Sequence, residues 1–488
     1  MLTLKTSRPD ATRRRFLRHA SAVSASVGSA AVPFALNLAT LGTSSAQTAS
    51  GGDYKAIVCL FLYGGNDASH MVLRTDDLSF NEYTRLRSVA PESIALKKPG
   101  TPIASVGVMV SPDRLGGVRA IAPKFLATAN NSADNAAFTF ALHPSMSEVA
   151  NLFSQSRLAI LANAGPLVVP LTRADYVANI KPRPKAIGSH NDQQSTWQAL
   201  GPEGAKIGWG GRLGDLMAAG NANTVFQYQV GSGGATQING LSGNLFGSST
   251  ASATLKTIVT ATNQHLFANE YGAIVKRSVD AQSNFQVAFN APSAAVPAPM
   301  QYVQPSNNQL TNNGLASQLQ TVARIIGARA GLGAKRQVFF VSMGGFDTHD
   351  NQNPNQADLL ARISHALGYF DTALAGLAGG DMRNAVTLFT ASDFGRTLTS
   401  NGDGTDHGWG GHHFVSGGAV NGGDIYGRFP QFIQNAADSN GNAYIPVTSV
   451  DSIGATLGKW FGASDSQLDT IFPNLRNFTA RDLGFMKA

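Results

Sequence analysis

Aspartate and histidine residues recur in short glycine-rich stretches of this sequence. The motifs are GGNDASH, GGFDTHD, ASDFGRT and GDGTDHGWGGHH. They supply seven candidate metal ligands: Asp67, Asp347, His349, Asp393, His407, His412 and His413. Imidazole nitrogens and carboxylate oxygens ligate zinc or manganese, and carboxylates also suit magnesium or calcium. The pattern therefore predicts a divalent metal site, with zinc, manganese, magnesium and calcium as candidate ions.

Each motif alone also has a simple structural interpretation. An Asp-Thr-His sequence can form a turn closed by a side-chain hydrogen bond, and two adjacent histidines can lie on a solvated surface. A shared site is favoured because the motifs follow segments that are predicted to be strands of one sheet. In open α/β sheets, ligands bind beyond the C-terminal ends of the strands.

Four apolar runs predict those buried strands. They are residues 54–63, 157–163, 337–343 and 385–390. Between the last two runs, apolar residues from Leu359 to Leu377 recur every three or four positions, which predicts one face of a helix over 356–377. Strand, helix and strand then form a βαβ unit. The expected fold class is α/β, with a mostly parallel central sheet flanked by helices.

Four further residues are candidates for catalysis or for binding an anion: Ser69, Ser189, Arg212 and Arg396. A serine hydroxyl can act as a nucleophile, and a guanidinium group can pair with an oxyanion. Neither serine is favoured. Ser189 also has a structural interpretation, because Ser-His-Asn-Asp is typical of a helix N-terminus with serine as the cap. Both arginines can instead form structural ion pairs.

Residues 1–46 predict a targeting segment that is not part of the fold. TRRRFLR at 12–18 precedes a mildly apolar stretch rich in alanine and serine, and Ser44-Ser45-Ala46 suits signal peptidase. The arginines with Phe16-Leu17 resemble a twin-arginine signal, and a basic amphipathic helix is the alternative. We expect the twin-arginine translocase to export the chain to the periplasm or beyond, leaving a single domain at 47–488.

Composition narrows the function of that domain. Residues 1–46 hold six of the 37 Lys and Arg and one of the 30 Asp and Glu, so the remainder carries only +2. Without a basic, aromatic-rich patch, nucleic-acid binding has no support. No later run approaches the ~20 apolar residues of a membrane span. The single cysteine excludes a cysteine-ligated zinc site.

Residues 231–313, rich in Gly, Ser, Asn and Ala, predict a helical and loop insertion with a helix near 252–288.

The longest motifs together resemble the bacterial family called domain of unknown function fifteen-oh-one. They are LYGGNDASHM, LHPSM, NAGPLVVPLTRADY, SHNDQQSTWQ, GWGGRL, GGFDTHDNQ, TASDFGRTLTSNGDGTDHGWGGHH and IYGRFP. The resemblance covers nearly the whole mature chain. It implies the alkaline phosphatase and sulfatase superfamily, whose mostly parallel sheet often carries two metals at its C-terminal edge. It implies no particular activity.

The resemblance also implies roles for the metal candidates. Asp67 matches the aspartate after the first strand, and Asp347 with His349 matches a later Asp/His pair, here more closely spaced. Asp393 matches the first member of an adjacent Asp-His pair. The second member is Phe394, which cannot ligate a metal, so one ion is favoured over two. One of the three later histidines would be the last ligand.

Two hypotheses for function follow. The first is an exported, metal-dependent hydrolase of phosphate or sulfate esters, in which Arg396 or Arg212 holds a small anionic ester or polymer substrate. The second is a non-catalytic exported binding protein that keeps the fold with a degenerate metal site and stacks tryptophans on sugar rings. The tryptophans concerned are Trp197, Trp209 and Trp409. Phe394 favours the second hypothesis, and the Asp/His clustering favours the first.

The resemblance further implies that Asp451 caps the C-terminal helix.

Overall fold

A computed structural model describes residues 54–126, 132–221, 227–230, 240, 245–246 and 284–487. These residues all belong to one compact unit, which spans Ser50–Ala488. The predicted signal segment at 1–46 and residues 252–283 of the predicted insertion helix lie outside the described residues. Export and the domain boundaries therefore stay predictions.

The strands of the described residues follow in chain order. They are β1 Lys55–Leu62, β2 Val72–Arg74, β3 Arg119–Ile121, β4 Phe140–Leu142, β5 Leu158–Gly165, β6 Gln227–Gln229, β7 Leu245–Phe246, β8 Tyr302–Gln304, β9 Gln309–Thr311, β10 Arg336–Met343, β11 Val386–Ser392, β12 Arg396–Ser400, β13 Thr405–His407, β14 Gly411–Ser416, β15 Ile425–Tyr426, β16 Ser439–Asn440, β17 Ala443–Tyr444 and β18 Thr448–Ser449.

The α-helices are interspersed among these strands. They are α1 Ala68–Met71, α2 Asp77–Arg87, α3 Pro112–Leu115, α4 Ser147–Ser154, α5 Arg173–Ala178, α6 His190–Ala199, α7 Trp209–Met217, α8 Gly314–Gly327, α9 Arg329–Leu332, α10 Gln352–Ala375, α11 Val450–Phe461 and α12 Asp465–Ile471. None of the described helices has the length and apolar character needed to cross a bilayer.

One large sheet contains all four strands predicted from the apolar runs. Among the described residues, its order is β15-β5-β14-β11-β1-β10-β6-β7, with β18 also paired to β5. Strand β14 runs antiparallel to β11 and β5, and the other pairings are parallel. The prediction of a mostly parallel central sheet flanked by helices is confirmed.

The sheet is apolar on both faces because helices cover both. On one face, Val58 and Leu60 of β1 belong to an apolar cluster with residues of α8 and α10. On the other face, Ile57 and Phe61 belong to a second cluster with residues of α7 and α11. A strand buried on both faces needs a continuous apolar run, which is why the sequence KAIVCLFL was recognisable as β1.

Helix α10 confirms the helix that was predicted between β10 and β11 from the spacing of apolar residues. Leu359, Ile363 and Leu367 are buried on its one apolar face.

The predicted cap of α11, Asp451, is wrong. Ser449 is the N-cap, and its side chain accepts a hydrogen bond from the Ser452 amide. Asp451 lies inside the first turn, two residues after the cap, because the helix begins one residue after Ser449, which is itself a preferred N-cap residue.

Part of the predicted insertion contributes to the central sheet. Strand β7 pairs in parallel with β6, and β8 and β9 form a separate antiparallel hairpin.

The tryptophans proposed for sugar stacking are all buried, contrary to that hypothesis. The Trp209 indole donates to the Trp197 carbonyl at 3.0 Å, and the Trp409 indole to the Pro166 carbonyl at 3.2 Å.

Candidate metal centre

Three of the motif loops begin at the same edge of the sheet. Strand β1 is parallel to β10 and β11, and Leu62 is level with both Met343 and Ser392. The loops that carry Asp67, Asp347 and Asp393 therefore leave the C-terminal edge together, as the sequence predicts. Gly64, with φ +116°, allows one close approach, because a Cβ there would lie 2.4 Å from the Asp347 amide nitrogen.

Asp347 lies at the centre of a group of three imidazoles. Its Oδ1 is 3.2 Å from His349 Nε2 and 3.3 Å from His407 Nε2, and its Oδ2 is 3.5 Å from His190 Nε2. The two nitrogens His349 Nε2 and His407 Nε2 are 3.0 Å apart. Single ligand atoms of His190, Asp347 and His407 all lie within 4.8 Å of one another. Ligands of one tetrahedral ion are separated by about 3–3.5 Å.

Each imidazole is oriented by an acceptor on its other nitrogen. His190 Nδ1 lies 2.6 Å from Asp393 Oδ2, and His349 Nδ1 lies 3.1 Å from Asp406 Oδ1. His407 Nδ1 lies 2.8 Å from the Gly188 carbonyl oxygen. A carbonyl can only accept, so His407 carries its proton on Nδ1. The Nε2 atoms of all three imidazoles then point at Asp347, and metal-binding histidines are held in the same way by a partner on the other ring nitrogen.

The four side chains remain open to solvent. Asp347, His349, His190 and His407 are 45%, 43%, 31% and 27% exposed. Partial burial opposes ionisation of Asp347, but the hydrogen bond and charge of Arg396 outweigh it, so the pKa of Asp347 lies below its ordinary value. Asp347 is therefore a carboxylate at neutral pH and can act as an anionic ligand.

Asp393 supports this group from behind. It is fully buried, and its Oδ2 accepts from Gln194 Nε2 at 2.9 Å and from the Gly64 amide at 3.3 Å, besides its contact with His190. Burial raises the pKa of Asp393, and the hydrogen bonds from Gln194 and His190 only partly oppose it. Within the described residues, Asp393 Oδ1 has no hydrogen-bond partner. Asp393 therefore orients the His190 imidazole and is not itself one of the side chains grouped around Asp347.

Phe394 forms an apolar wall beside the imidazoles. Its ring centroid lies 4.5 Å from that of His407 and 4.9 Å from that of His190. Its ring is also why Gly65 is needed, because a Cβ at that glycine would lie 2.4 Å from Phe394 Cε2. Phenylalanine therefore lines the imidazole group with a side chain that has no ligand atom.

Asp67 does not join this group, contrary to its predicted ligand role. It is fully buried, and both of its carboxylate oxygens accept hydrogen bonds from Arg87. Gln352 Nε2 donates to Oδ2 at 2.6 Å. Burial alone would raise the pKa of Asp67, but Arg87 more than compensates, and the net shift is downward. The Arg87 guanidinium, and not a group of imidazoles, is thus the partner of the Asp67 carboxylate.

The two candidate arginines are engaged elsewhere. Arg396 is buried and donates to the carbonyls of Gly65 and Thr405 at 2.8 and 3.0 Å and to the Asp347 carboxylate. Its guanidinium therefore fixes the motif loops and is itself closed to solvent. Arg212 lies in α7 and directs Nη1 to the Ile471 carbonyl at 3.4 Å, at the end of α12.

The two candidate serines also have structural partners. Ser189 is the N-cap of α6, and its side chain accepts from the Asp192 amide, which matches its structural interpretation. Ser69 is buried in α1 and hydrogen-bonds with the Tyr444 phenol.

His412 and His413 lie in the core, so the structure does not bring them to Asp347. Adjacent residues of β14 face opposite sides of the sheet. The His412 ring stacks on Phe429 at 4.1 Å, and the His413 ring meets the edge of Trp197 at 4.8 Å. Burial lowers the pKa of both histidines to about 3, so both are neutral.

His190 is the member of this group that the sequence did not predict. It lies in the SHND motif, in which only Ser189 is a candidate, either as a nucleophile or, in the structural interpretation, as the cap of a helix. That interpretation is correct, and it explains the geometry: the cap at Ser189 begins α6 at His190 and aims its ring at the sheet edge. A histidine directly after a capping serine in a long motif was the available signal.

Comparison with known proteins identifies the family. Residues 54–468 match the model of the family described as "Protein of unknown function (DUF1501)", and the chain belongs to that family. No curated protein sequence matches this chain.

Similar solved structures are distant. Ps i-CgsB in complex with k-i-k-neocarrahexaose has a TM-score of 0.32 and 10% identity, covering 87% of this chain and 77% of that one. The lipoteichoic acid synthase LtaP from Listeria monocytogenes has a TM-score of 0.31 and 9% identity, covering 89% and 81%. Neither similarity determines the role of any residue in this chain.

Proposed function

We propose that this member of the DUF1501 family binds one divalent metal ion through His190, Asp347, His349 and His407 and hydrolyses phosphate or sulfate esters. A bound ion would polarise an ester oxygen and lower the pKa of an attacking water. The observation that carries the proposal is the common orientation of the three imidazoles, each held by an Nδ1 acceptor with Nε2 directed at one carboxylate.

Electrostatics favours a cation at this point. His349 Nε2 and His407 Nε2 lie 3.0 Å apart, and each ring already has a hydrogen-bond acceptor on Nδ1. Two lone pairs at that distance, beside the Asp347 carboxylate, repel one another unless a proton or a metal ion lies between them. The nitrogen-rich donor set favours zinc over magnesium and calcium, which prefer oxygen ligands.

The surrounding residues position the ligands. Asp393, Asp406 and the Gly188 carbonyl hold the three imidazoles in the tautomer that ligates a metal. Arg396 holds the Asp347 carboxylate against the imidazoles. All four donor side chains are partly exposed, so a substrate oxygen would approach a bound ion from the solvent side.

A second candidate is a metal-containing binding protein that does not catalyse hydrolysis. The engagement of Ser69 and Ser189 in structural hydrogen bonds favours it, since no protein nucleophile is then identified. The engagement of all three Arg396 guanidinium nitrogens with backbone carbonyls and Asp347 favours it as well.

Metal analysis combined with an ester assay tests both candidates. Protein matured through its native export route should contain one equivalent of metal. His190→Ala and Asp347→Ala should lose most of it, whereas Asp350→Ala, at an exposed aspartate three residues further on, should retain it. Metal with hydrolysis of p-nitrophenyl phosphate or sulfate supports the hydrolase. Metal without hydrolysis supports the binding protein, and absence of metal from wild type contradicts both.

The proposal includes export by the twin-arginine translocase and membership of the alkaline phosphatase and sulfatase superfamily. Export is supported by Arg13, Arg14 and Arg15 before Phe16-Leu17, and the superfamily by the sequence resemblance. Two double variants, Arg13→Lys/Arg14→Lys and Arg14→Lys/Arg15→Lys, should each leave precursor in the cytoplasm. Normal export of both variants in cells that lack the translocase would contradict this route.

A further inference from the structure

A positively charged loop adjoins the proposed metal centre. Residues 179–188, here called the basic loop, contain Lys181, Arg183 and Lys185 alternating with Pro182 and Pro184. All three cations are exposed. This local excess of positive charge is notable because the chain beyond residue 46 carries only +2 overall.

The basic loop is attached to the elements that form the centre. At its end, the Gly188 carbonyl accepts from His407 Nδ1 at 2.8 Å. In its middle, the carbonyls of Lys185 and Ala186 accept from Gln193 Nε2 at 3.1 and 3.3 Å. Gln193 is a buried residue of α6, the helix that begins at His190. The loop therefore has a defined position relative to two of the proposed ligands.

The cations of the loop are available to a ligand to different extents. Lys181 pairs with Asp175 at 2.8 Å. Arg183 lies over the Tyr176 ring, 4.5 Å from its centroid. Within the described part of the chain, neither Arg183 nor Lys185 has an ion-pair partner. Lys185 is three residues before Gly188, so their Cα atoms are at most about 11 Å apart.

The spacing of these charges suits a repeating anion. Residues before proline are restricted to extended conformations, and alternate residues of an extended chain are roughly 6–7 Å apart. A small monoester would place one anionic group at the metal and leave the loop unused. A polymer could place one ester at the metal and neighbouring esters against Lys185 and Arg183.

We infer that the basic loop binds the flanking anionic groups of a polymer that carries repeated sulfate or phosphate esters. The inference deepens the proposed function, on which its assignment to a substrate rests. Binding itself does not require catalysis and can be measured without it.

Binding of labelled dextran sulfate and of labelled polyphosphate, followed by fluorescence anisotropy over a range of salt concentrations, tests the inference. The test variant is Lys181→Gln/Arg183→Gln/Lys185→Gln. The control removes three exposed cations elsewhere, Arg85→Gln/Lys97→Gln/Lys98→Gln. Metal content equal to that of wild type would show that the test variant keeps its centre.

The test variant should lose at least 10-fold in affinity for one of the two polymers at low salt. Its slope of log affinity against log salt should fall by about 2, since each phosphate contact contributes roughly 0.7 in single strands. The control should bind like wild type. The polymer that responds distinguishes sulfate from phosphate esters.

Unchanged binding by the test variant, or an equal loss in the control, would overturn the inference. Tighter binding of single-stranded DNA than of either polymer would also overturn it and assign the loop to nucleic acid. Asp347→Ala, which removes a proposed ligand, should still bind the polymer. Failure of the metal proposal is thus distinguishable from failure of this one.

Discussion

Asp67 and Asp347 follow Gly-Gly pairs at the ends of the neighbouring parallel strands β1 and β10, yet their surroundings differ completely. Asp67 is fully buried, with its oxygens accepting from Arg87 and Gln352. Asp347 is 45% exposed and faces three imidazoles. Similar sequence motifs therefore gave one internal ion pair and one candidate metal centre.

The difference shows that a carboxylate at a sheet edge acquires its role from its partners. The oxygens of a buried carboxylate that accept hydrogen bonds from fixed N–H donors are already occupied and do not bind an ion. A partly exposed carboxylate that faces the Nε2 atoms of three imidazoles can share an ion with them. Four predictions test this contrast.

The largest expected effect concerns the buried pair. Arg87→Ala would leave the Asp67 charge buried without its partner, and breaking such pairs costs about 3–5 kcal/mol. Urea unfolding of the metal-free protein measures this. Arg85→Ala, at an exposed arginine two residues before Arg87 that pairs with Glu82, should change the free energy of unfolding far less, because surface ion pairs contribute little. Equal effects of the two substitutions would contradict the contrast.

A buried aspartate with amide partners should behave oppositely to Asp67 as pH changes. Asp451 accepts from the Asn474 amide, and burial raises its pKa from 3.8 to about 6. Its contribution to stability is therefore full below pH 3.8 and is lost as pH rises through about 6. Asp67, with a lowered pKa, instead contributes at neutral pH and loses its contribution on acidification.

Asp451→Asn removes this titration. The unfolding free energy of the variant should rise relative to wild type by up to about 3 kcal/mol between pH 3.5 and pH 7, since a pKa unit corresponds to about 1.4 kcal/mol. Denaturant unfolding at several pH values measures the difference. A difference that does not vary with pH would show that Asp451 titrates normally.

The third prediction concerns the acceptors behind the imidazoles. Substituting residues that orient metal ligands typically lowers metal affinity about 10–100-fold. Asp393→Asn should approach the upper value because Asp393 is fully buried, and Asp406→Asn the lower value because its side chain is 59% exposed. Competition with a chelator measures both affinities. The reverse order would mean that burial does not decide the contribution of these acceptors.

The smallest effect separates a cap from a nucleophile at Ser189. Ser189→Ala should destabilise the fold by about 1 kcal/mol, and Ser189→Gly by only a few tenths, because glycine is tolerated at the N-cap. Thermal unfolding measures both. Any ester hydrolysis should persist in both variants, whereas a nucleophile would lose activity equally with either substitution.

Local sequence determined most of the fold. A strand covered on both faces must be apolar throughout, so β1, β5, β10 and β11 were visible as runs, and the three- and four-residue periodicity of α10 was visible for the equivalent reason. The convergence of the loops that carry Asp67, Asp347 and Asp393 at one edge followed from parallel strands. The cap at Ser189 was also visible from its motif.

Only the tertiary structure decided which titratable side chains face one another. Arg87 comes from α2, 20 residues after Asp67, and nothing in its local sequence marks it as the partner. His190 reaches Asp393 across 203 residues of chain. His412 and His413 differ from His407 by a few positions but lie in a buried strand. Periodicity reports which elements are buried, whereas pairing of charges depends on distances between elements that are remote in sequence.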